Sequence, residues 1–232
     1  MIKQIFVDMD GTLFDINEQQ FFFEYYKAVY KAFAEKGYNG EELANIIVKN
    51  GSKVMQENDG TKTNEEAFWG YFCKSSPLSR GIAEDILLNM YATTFGDICN
   101  HTIEQVENMQ NIISGLKEKG YPIYLTTNSF FPIIAVEKRL DAGGYKKELF
   151  EFITTNDASS FVKPNPGYFK EVFKRFNLKP NETFMIGNDM IEDKVIETLG
   201  SPCYIIQKEN INETVGTVSQ LQKIIEKLPN IK

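Results

Sequence analysis

The chain has 232 residues, of which 42% are hydrophobic and 25% are charged, and apolar residues are spread along its whole length. This composition excludes an intrinsically disordered chain and supplies enough apolar surface for one large domain or for a core with an inserted domain. The formal net charge is −7 and no basic stripe occurs. This charge argues against nucleic acid or an anionic membrane as the main partner.

The sequence also indicates a compartment. No apolar run reaches the ~18 to 20 residues that a membrane-spanning helix needs, and the first residues lack a signal-peptide pattern. Three cysteines, Cys73, Cys99 and Cys203, are too widely spaced for a disulfide framework or a zinc site. We therefore expect a cytoplasmic protein with reduced thiols.

The first predicted element is a strand over residues 2–7, a short apolar run of the kind that buried parallel strands use. From about residue 17 to residue 95 the pattern is helical, because apolar residues recur at three- and four-residue steps. Thr63 and Glu66 form a capping box that opens the third of these helices, and Ser76 is expected to begin the fourth.

After His101 the pattern changes to strands that alternate with helices. Thr102 and Gln105 are read as a second capping box, which opens a helix that Gly120 ends. The strands that follow are expected at 122–126, 152–154, 183–186 and 203–206, and the helices at 132–140, 167–176 and 191–199. Such alternation is typical of βαβ units around a parallel sheet. The predicted fold is therefore an α/β, Rossmann-like core, residues 1–15 and 97–232, with an inserted α-helical segment, residues 16–96, which we call the cap.

Four polar clusters fall at the carboxyl ends of predicted strands, where open parallel sheets place their active sites. Two carboxylates lie two residues apart after the first strand, where they repel each other unless a cation or a proton lies between them. The candidate residues are Asp8, Asp10, Thr127, Asn128, Lys163, Asn188, Asp189 and Asp193.

Together these clusters provide a nucleophile, an acid/base, a group of oxygen ligands for a hard cation, and a neutralising lysine. A phosphoryl group needs these functions: an in-line nucleophile, a proton for the leaving oxygen, and positive charge near its equatorial oxygens. Oxygen ligands without a nearby histidine or cysteine favour Mg²⁺ over zinc or copper. The residues predict phosphoryl transfer through an aspartyl-phosphate.

The four motifs, in order and spacing, resemble those of the haloacid dehalogenase superfamily, and the helical insertion after the first motif resembles members with an α-helical C1 cap. By this resemblance Asp8 is the nucleophile and a magnesium ligand, and Asp10 is the general acid/base whose backbone carbonyl also binds the metal. Thr127, with Asn128 beside it, and Lys163 would hold the phosphoryl group. Asp189, and with it Asp193, would complete the magnesium site.

The fourth motif departs from the commonest form, in which an aspartate follows the glycine directly. Here Asn188 stands in that place and Asp189 comes one residue later. The spacing of Asp189 to Asp193 matches one used by many members, so Asp189 is the preferred metal ligand. Asn188 is the competing candidate.

The expected function is a magnesium-dependent phosphatase acting on a small phosphorylated metabolite, such as a sugar phosphate or a nucleotide. Asp10 counts against dehalogenation, because a halide leaving group needs no proton. A phosphomutase resembling β-phosphoglucomutase is the enzymatic alternative, and a phosphate-responsive binding module without turnover is the alternative from another class. The partner is expected to be the small substrate alone, with the chain a monomer or a homodimer.

Overall fold

The core is built on a parallel sheet of six strands in the order β5-β4-β1-β6-β7-β8. The computed structural model describes residues 1–57, 59–106 and 108–231. The strands of this sheet are β1 Gln4–Val7, β4 Ile123–Leu125, β5 Phe152–Ile153, β6 Thr183–Gly187, β7 Cys203–Ile206 and β8 Val215–Gly216. The predicted α/β fold with a parallel sheet is confirmed.

The central strand β1 is buried along its whole length because its neighbours pair with it on both sides. Val7 lies opposite Leu125 of β4 and Ile186 of β6, so these three strands end together at one edge of the sheet. The amide of Asp8 donates to the carbonyl of Ile186 at 2.9 Å. The first of the four polar clusters, which begins with Asp8, is thereby fixed at the carboxyl edge of the sheet.

Helices cover both faces of the sheet, and the alternation of β1 side chains assigns the faces. Ile5 and Val7 belong to the larger apolar cluster, while Phe6 belongs to a smaller cluster. Helices α6 and α9 contribute to the first cluster, and α8 packs into the second. The helices of this part of the chain are α5 Phe95–Thr102, α6 Met109–Glu118, α7 Ile133–Ala142, α8 Pro166–Phe176 and α9 Val218–Glu226.

Four helices lie between β1 and α5, as the apolar spacing predicts. They are α1 Glu18–Ala34, α2 Gly40–Glu57, α3 Asn64–Ser75 and α4 Arg80–Thr93. The capping box of Thr63 and Glu66 is present at the start of α3. The fourth helix begins later than Ser76, because Ser76 closes α3 by donating its amide to the carbonyl of Phe72, and Ser79 is the N-cap of α4.

A two-stranded antiparallel ribbon at the base of the cap was not predicted. Strand β2, Phe14–Ile16, pairs with β3, Ile103–Gln105. The expected capping box of Thr102 and Gln105 is therefore wrong: the Thr102 hydroxyl donates to the carbonyl of Ile98, and Gln105 is paired in the ribbon. The predicted cap boundary at residue 96 falls inside α5.

Two further differences concern the C-terminal third. The helix expected over residues 191–199 is a shorter 3₁₀ helix, Lys194–Leu199, because residues 189–193 form a turn around the side chains of Asp189 and Asp193. Strand β8 and helix α9 were not predicted. Across the described residues, the helices all fall short of the length and apolarity that a bilayer crossing requires.

Candidate active site

A buried ion-pair cluster lies where β1 and β6 end. The Nζ atom of Lys163 is 2.6 Å from Oδ1 of Asp8 and 2.6 Å from Oδ1 of Asp193. All three side chains are almost completely buried. Breaking such a pair inside a protein leaves an uncompensated charge, so each member holds the others in place.

Asp193 is anchored on its other side by the backbone of the fourth motif. Its Oδ2 accepts the amides of Asn188 and Asp189 at 3.0 and 3.1 Å. Gly187, the last residue of β6, makes this possible, because a Cβ there would lie 2.3 Å from that oxygen. Both oxygens of Asp193 are therefore occupied, and its place in the site is to orient Lys163 and the loop.

The charge states of the cluster follow from burial and proximity. Burial opposes the charged form of Lys163, but Asp193 and Asp8 outweigh it and hold the lysine pKa well above its ordinary value. Burial raises the pKa of Asp8 to about 7, with Lys163 acting in the opposite direction and Asp193 and Asp10 adding to the rise. Burial is thus the main cause of the raised pKa of Asp8, and the two neighbouring aspartates add to it.

Asp10 is bound by a residue that the sequence reasoning missed. Arg139 on α7 donates from Nη2 to Oδ1 of Asp10. The guanidinium carbon packs against two adjoining rings, 5.2 Å from the centroid of Phe21 in α1 and 5.4 Å from that of Phe131 in the core. Arg139 is buried, and its Nε has no hydrogen-bond partner among the described residues.

A signal for Arg139 exists in the sequence. Helix α7 buries Ala135, Val136 and Leu140 on one face, and Arg139 falls on the same stripe. A charged residue within an apolar stripe needs a buried partner. The pattern therefore indicates an ion pair under α7, although it does not name Asp10.

The Thr12 hydroxyl joins the first and fourth motifs. It lies 3.5 Å from Oδ2 of Asp8 and 3.2 Å from Oδ1 of Asn188. Gly11 permits this approach, because it has φ of +69° and a Cβ there would lie 2.3 Å from Nδ2 of Asn188. The side-chain oxygens of Asp8 and Asn188 therefore converge on one point.

Asp189, the preferred metal ligand from the sequence, is turned away from that point. Its Oδ1 accepts the amides of Ile191 and Glu192, both at 2.7 Å, and the residue is exposed. This is an Asx turn that shapes its own loop. The Thr12 hydroxyl links Asn188, and not Asp189, to the carboxylate of Asp8.

The second motif lies beside this cluster. The carbonyl of Thr127 accepts from the hydroxyls of Thr154 and Tyr168, each at 2.6 Å, which fixes the end of β4. The Asn128 amide accepts the backbone N–H of Lys163 at 3.0 Å and donates to Glu192 at 2.9 Å. Asn128 thus ties together three motif loops. A role for Thr127 and Asn128 in phosphate binding stays a prediction.

The family can now be assigned by comparison. The profile of the haloacid dehalogenase-like hydrolases matches residues 5–195, which is most of the chain. The chain belongs to this family. A glyceraldehyde 3-phosphate phosphatase of Methanothermobacter thermautotrophicus is 27% identical over 260 aligned positions, covering 97% of this chain and all of that protein. The expectation of a phosphatase-like enzyme of the haloacid dehalogenase superfamily is confirmed.

Solved structures of haloacid dehalogenase-like proteins show the same fold. A phosphatase from Thermococcus onnurineus superposes with a TM-score of 0.60 at 18% identity, over 99% of this chain and 100% of that one. An enzyme from Bacteroides thetaiotaomicron, in complex with magnesium and inorganic phosphate, gives a TM-score of 0.53 at 20% identity, over 89% of this chain and 95% of that one.

The residues present fit a magnesium ion of the kind used in this family. Within the described part of the chain, no three histidine, cysteine or acidic side chains are grouped to hold a metal. However, oxygens of Asp8 and Asn188 both lie within hydrogen-bond distance of the Thr12 hydroxyl, and two further aspartates, Asp10 and Asp193, lie near enough to Asp8 to raise its pKa. Carboxylate and amide oxygens are hard donors of the kind that suits Mg²⁺. The ligands would be Asp8, the carbonyl of Asp10 and Asn188.

Proposed function

We propose that the chain is a magnesium-dependent phosphatase that hydrolyses a small phosphorylated metabolite through a phosphoryl intermediate on Asp8. The observation that carries this proposal is Lys163, buried between Asp8 and Asp193 at 2.6 Å from each. A cation fixed at one oxygen of a nucleophilic carboxylate neutralises the oxygens of an incoming phosphoryl group. A purely structural ion pair would not require the surrounding loops to converge there.

In the first step Asp8 attacks phosphorus with Oδ2, the oxygen that Lys163 does not bind. Lys163 and the loop that carries Thr127 hold the phosphoryl oxygens, and Mg²⁺, when bound, supplies further positive charge for them. Asp10 gives its proton to the leaving alcohol oxygen, so that the ester P–O bond breaks as the bond to Asp8 forms.

In the second step Asp10 accepts a proton from water, which attacks phosphorus and releases inorganic phosphate. Arg139 holds Oδ1 of Asp10, so that Oδ2 is the oxygen that exchanges the proton. The fixed Asp10 side chain thereby acts as acid and then as base without a change of position.

The substrate enters under the cap, which we take as residues 16–96. The relative that acts on glyceraldehyde 3-phosphate supports a small phosphate ester as substrate. Cys73, Cys99 and Cys203 are all free, which supports the reduced environment of the cytoplasm.

The test is phosphate release from p-nitrophenyl phosphate, with and without Mg²⁺, by the native chain and two variants. We expect Asp8→Asn to lose activity by more than about 10³-fold and to keep its fold, because an amide has the same shape but cannot attack phosphorus. Asp15→Asn is the matched control, since Asp15 is an exposed carboxylate of β2. Equal activity of Asp8→Asn and Asp15→Asn would refute the nucleophile.

A further inference from the structure

A large apolar cavity lies inside the cap, between helices α1 to α4 and the core segment 129–132. Its volume is about 470 Å³. Three of its lining side chains, Phe22, Met55 and Leu88, are 58%, 48% and 43% exposed. Apolar side chains of this size are usually covered, and here they face an open space that a ligand can fill.

The polar groups of the lining are mostly paired with one another. The hydroxyls of Tyr25 and Tyr91 form a hydrogen bond of 2.8 Å. Glu65 and Glu84 both pair with Arg80, each at 3.0 Å. Among the described residues that line the cavity there is no lysine, arginine or histidine. A second phosphate or a carboxylate on the ligand would therefore meet no opposite charge.

The cavity adjoins the second motif of the site. Ser129 and Phe131 line it, and Ser129 follows the motif residue Asn128. The Phe131 ring packs on the guanidinium of Arg139, which binds Asp10. The cavity thus begins directly after the second motif, and the body of a phosphate ester held at that motif would extend past Ser129 into it.

We propose that this cavity holds the leaving group, and that the preferred substrates are phosphate monoesters of apolar alcohols with an aromatic or branched aliphatic body. This inference rests on the proposed phosphatase function. An engineered apolar cavity of about 150 Å³ holds one benzene molecule, so the present cavity has room for a fused-ring or terpenoid body. The three carbons of a triose phosphate would leave most of it unfilled.

The first measurement compares 1-naphthyl phosphate with glyceraldehyde 3-phosphate as substrates of the native enzyme. Removing about 100 Å² of apolar ligand surface from water corresponds to binding that is roughly 70-fold tighter. We expect KM to be lower by at least about tenfold for the naphthyl ester, and KM is compared because the aryl leaving group by itself raises kcat. An equal or higher KM for the naphthyl ester would overturn the inference.

The second measurement uses a variant whose new side chain fills the cavity. Gly51 of α2 lines it, and a Cβ there would meet nothing within 4 Å. Gly51→Phe should lower kcat/KM for 1-naphthyl phosphate by at least about fivefold more than it lowers kcat/KM for the triose phosphate. Gly70→Phe is the matched control, because Gly70 is also mid-helix with open space at Cβ but does not line the cavity.

A failure of this inference can be distinguished from a failure of the proposed phosphatase function. If Gly51→Phe does not fold, Leu88→Gln replaces it, with Ile82→Gln of the same helix as control, since Ile82 is equally exposed but outside the lining. If neither ester is hydrolysed, the proposed function fails, and calorimetric binding of 1-naphthyl phosphate then decides about the cavity. If Gly51→Phe binds 1-naphthyl phosphate as tightly as the native protein does, the cavity is not the ligand site.

Discussion

The carboxyl edge of the sheet and the interior of the cap treat polar groups in opposite ways. At the sheet edge, the charges of Asp8, Lys163 and Asp193 are buried and joined at 2.6 Å. In the cap, the charged groups beside the cavity, Glu65 and Glu84, stay partly exposed and pair with Arg80 at the surface. The cavity interior is left apolar.

The difference separates two tasks. Buried charge requires partners in fixed positions, so the sheet edge is suited to chemistry on a phosphoryl group, which differs little between substrates. An apolar cavity makes few directional demands, so the cap is suited to selecting the size and shape of the remaining group. Substitutions at the two places should therefore fail in different ways.

The largest effect is expected at Lys163. Lys163→Met leaves Asp8 and Asp193 buried without a cation, which should lower the free energy of unfolding by about 3 kcal/mol and abolish turnover. The control is Lys146→Met, which breaks the exposed pair with Asp141 and should leave the free energy of unfolding nearly unchanged. Urea unfolding and phosphate release measure both.

The combination of Lys163→Met with Asp193→Asn sharpens this test. Removing one of the two facing carboxylates should recover part of the lost stability, while activity stays absent because the phosphoryl group still lacks its cation. Recovery of activity in the double variant would show that Lys163 serves the fold and not the chemistry.

The substitution Asp10→Asn should have the next largest effect on activity. It removes the proton donor, so kcat on an alkyl phosphate should fall by about 10² to 10⁴-fold. On p-nitrophenyl phosphate, whose leaving group is stable without a proton, the first step should be far less affected, and a burst of nitrophenol should precede a slow steady state. A similar loss in the burst and the steady state would contradict the acid/base role.

The metal site gives a smaller but diagnostic effect. Asn188→Ala should raise the Mg²⁺ concentration for half-maximal activity by at least about tenfold, because the Asn188 side chain meets that of Asp8 at the Thr12 hydroxyl. Asp189→Asn should change it by less than about threefold, because Asp189 caps its own loop. The reverse order in a magnesium titration would restore Asp189 as the ligand.

The smallest effect is expected in the cap. Tyr25→Phe leaves the buried hydroxyl of Tyr91 without its partner and should cost about 1 kcal/mol of stability. The double variant Tyr25→Phe, Tyr91→Phe should cost less than the single one, because both polar atoms are gone. A larger loss in the double variant would mean that the cap interior depends on polar pairs as the sheet edge does.

Much of the core was predictable because three of its buried strands, β1, β4 and β6, are apolar runs that end in polar motifs. The apolar run before Asp8 predicted β1, and the runs before Thr127 and Gly187 predicted β4 and β6. The ribbon of β2 and β3 was not predictable in this way. Each strand has only three residues, and the two are far apart in the chain, so no period of two develops.

The sequence named the residues of the candidate site, but it did not show which way each side chain points. Spacing alone could not separate Asn188 from Asp189, because the choice depends on which side chain the turn after β6 uses for its own amides. Arg139 was missed because its partner Asp10 lies 129 residues away. A contact between residues so far apart in the chain depends on how α7 packs, and no local sequence pattern indicates that packing.

The position of Arg139 links substrate choice to turnover. Its guanidinium packs on Phe21 of the cap and on Phe131 of the core while it holds Asp10. A change in α1 that reshapes the cap interior therefore reaches Asp10, the proposed proton donor, through a single side chain. Variants selected for a new substrate through substitutions near Phe21 should have a lower kcat. A second substitution at Arg139 or Phe131 should restore it.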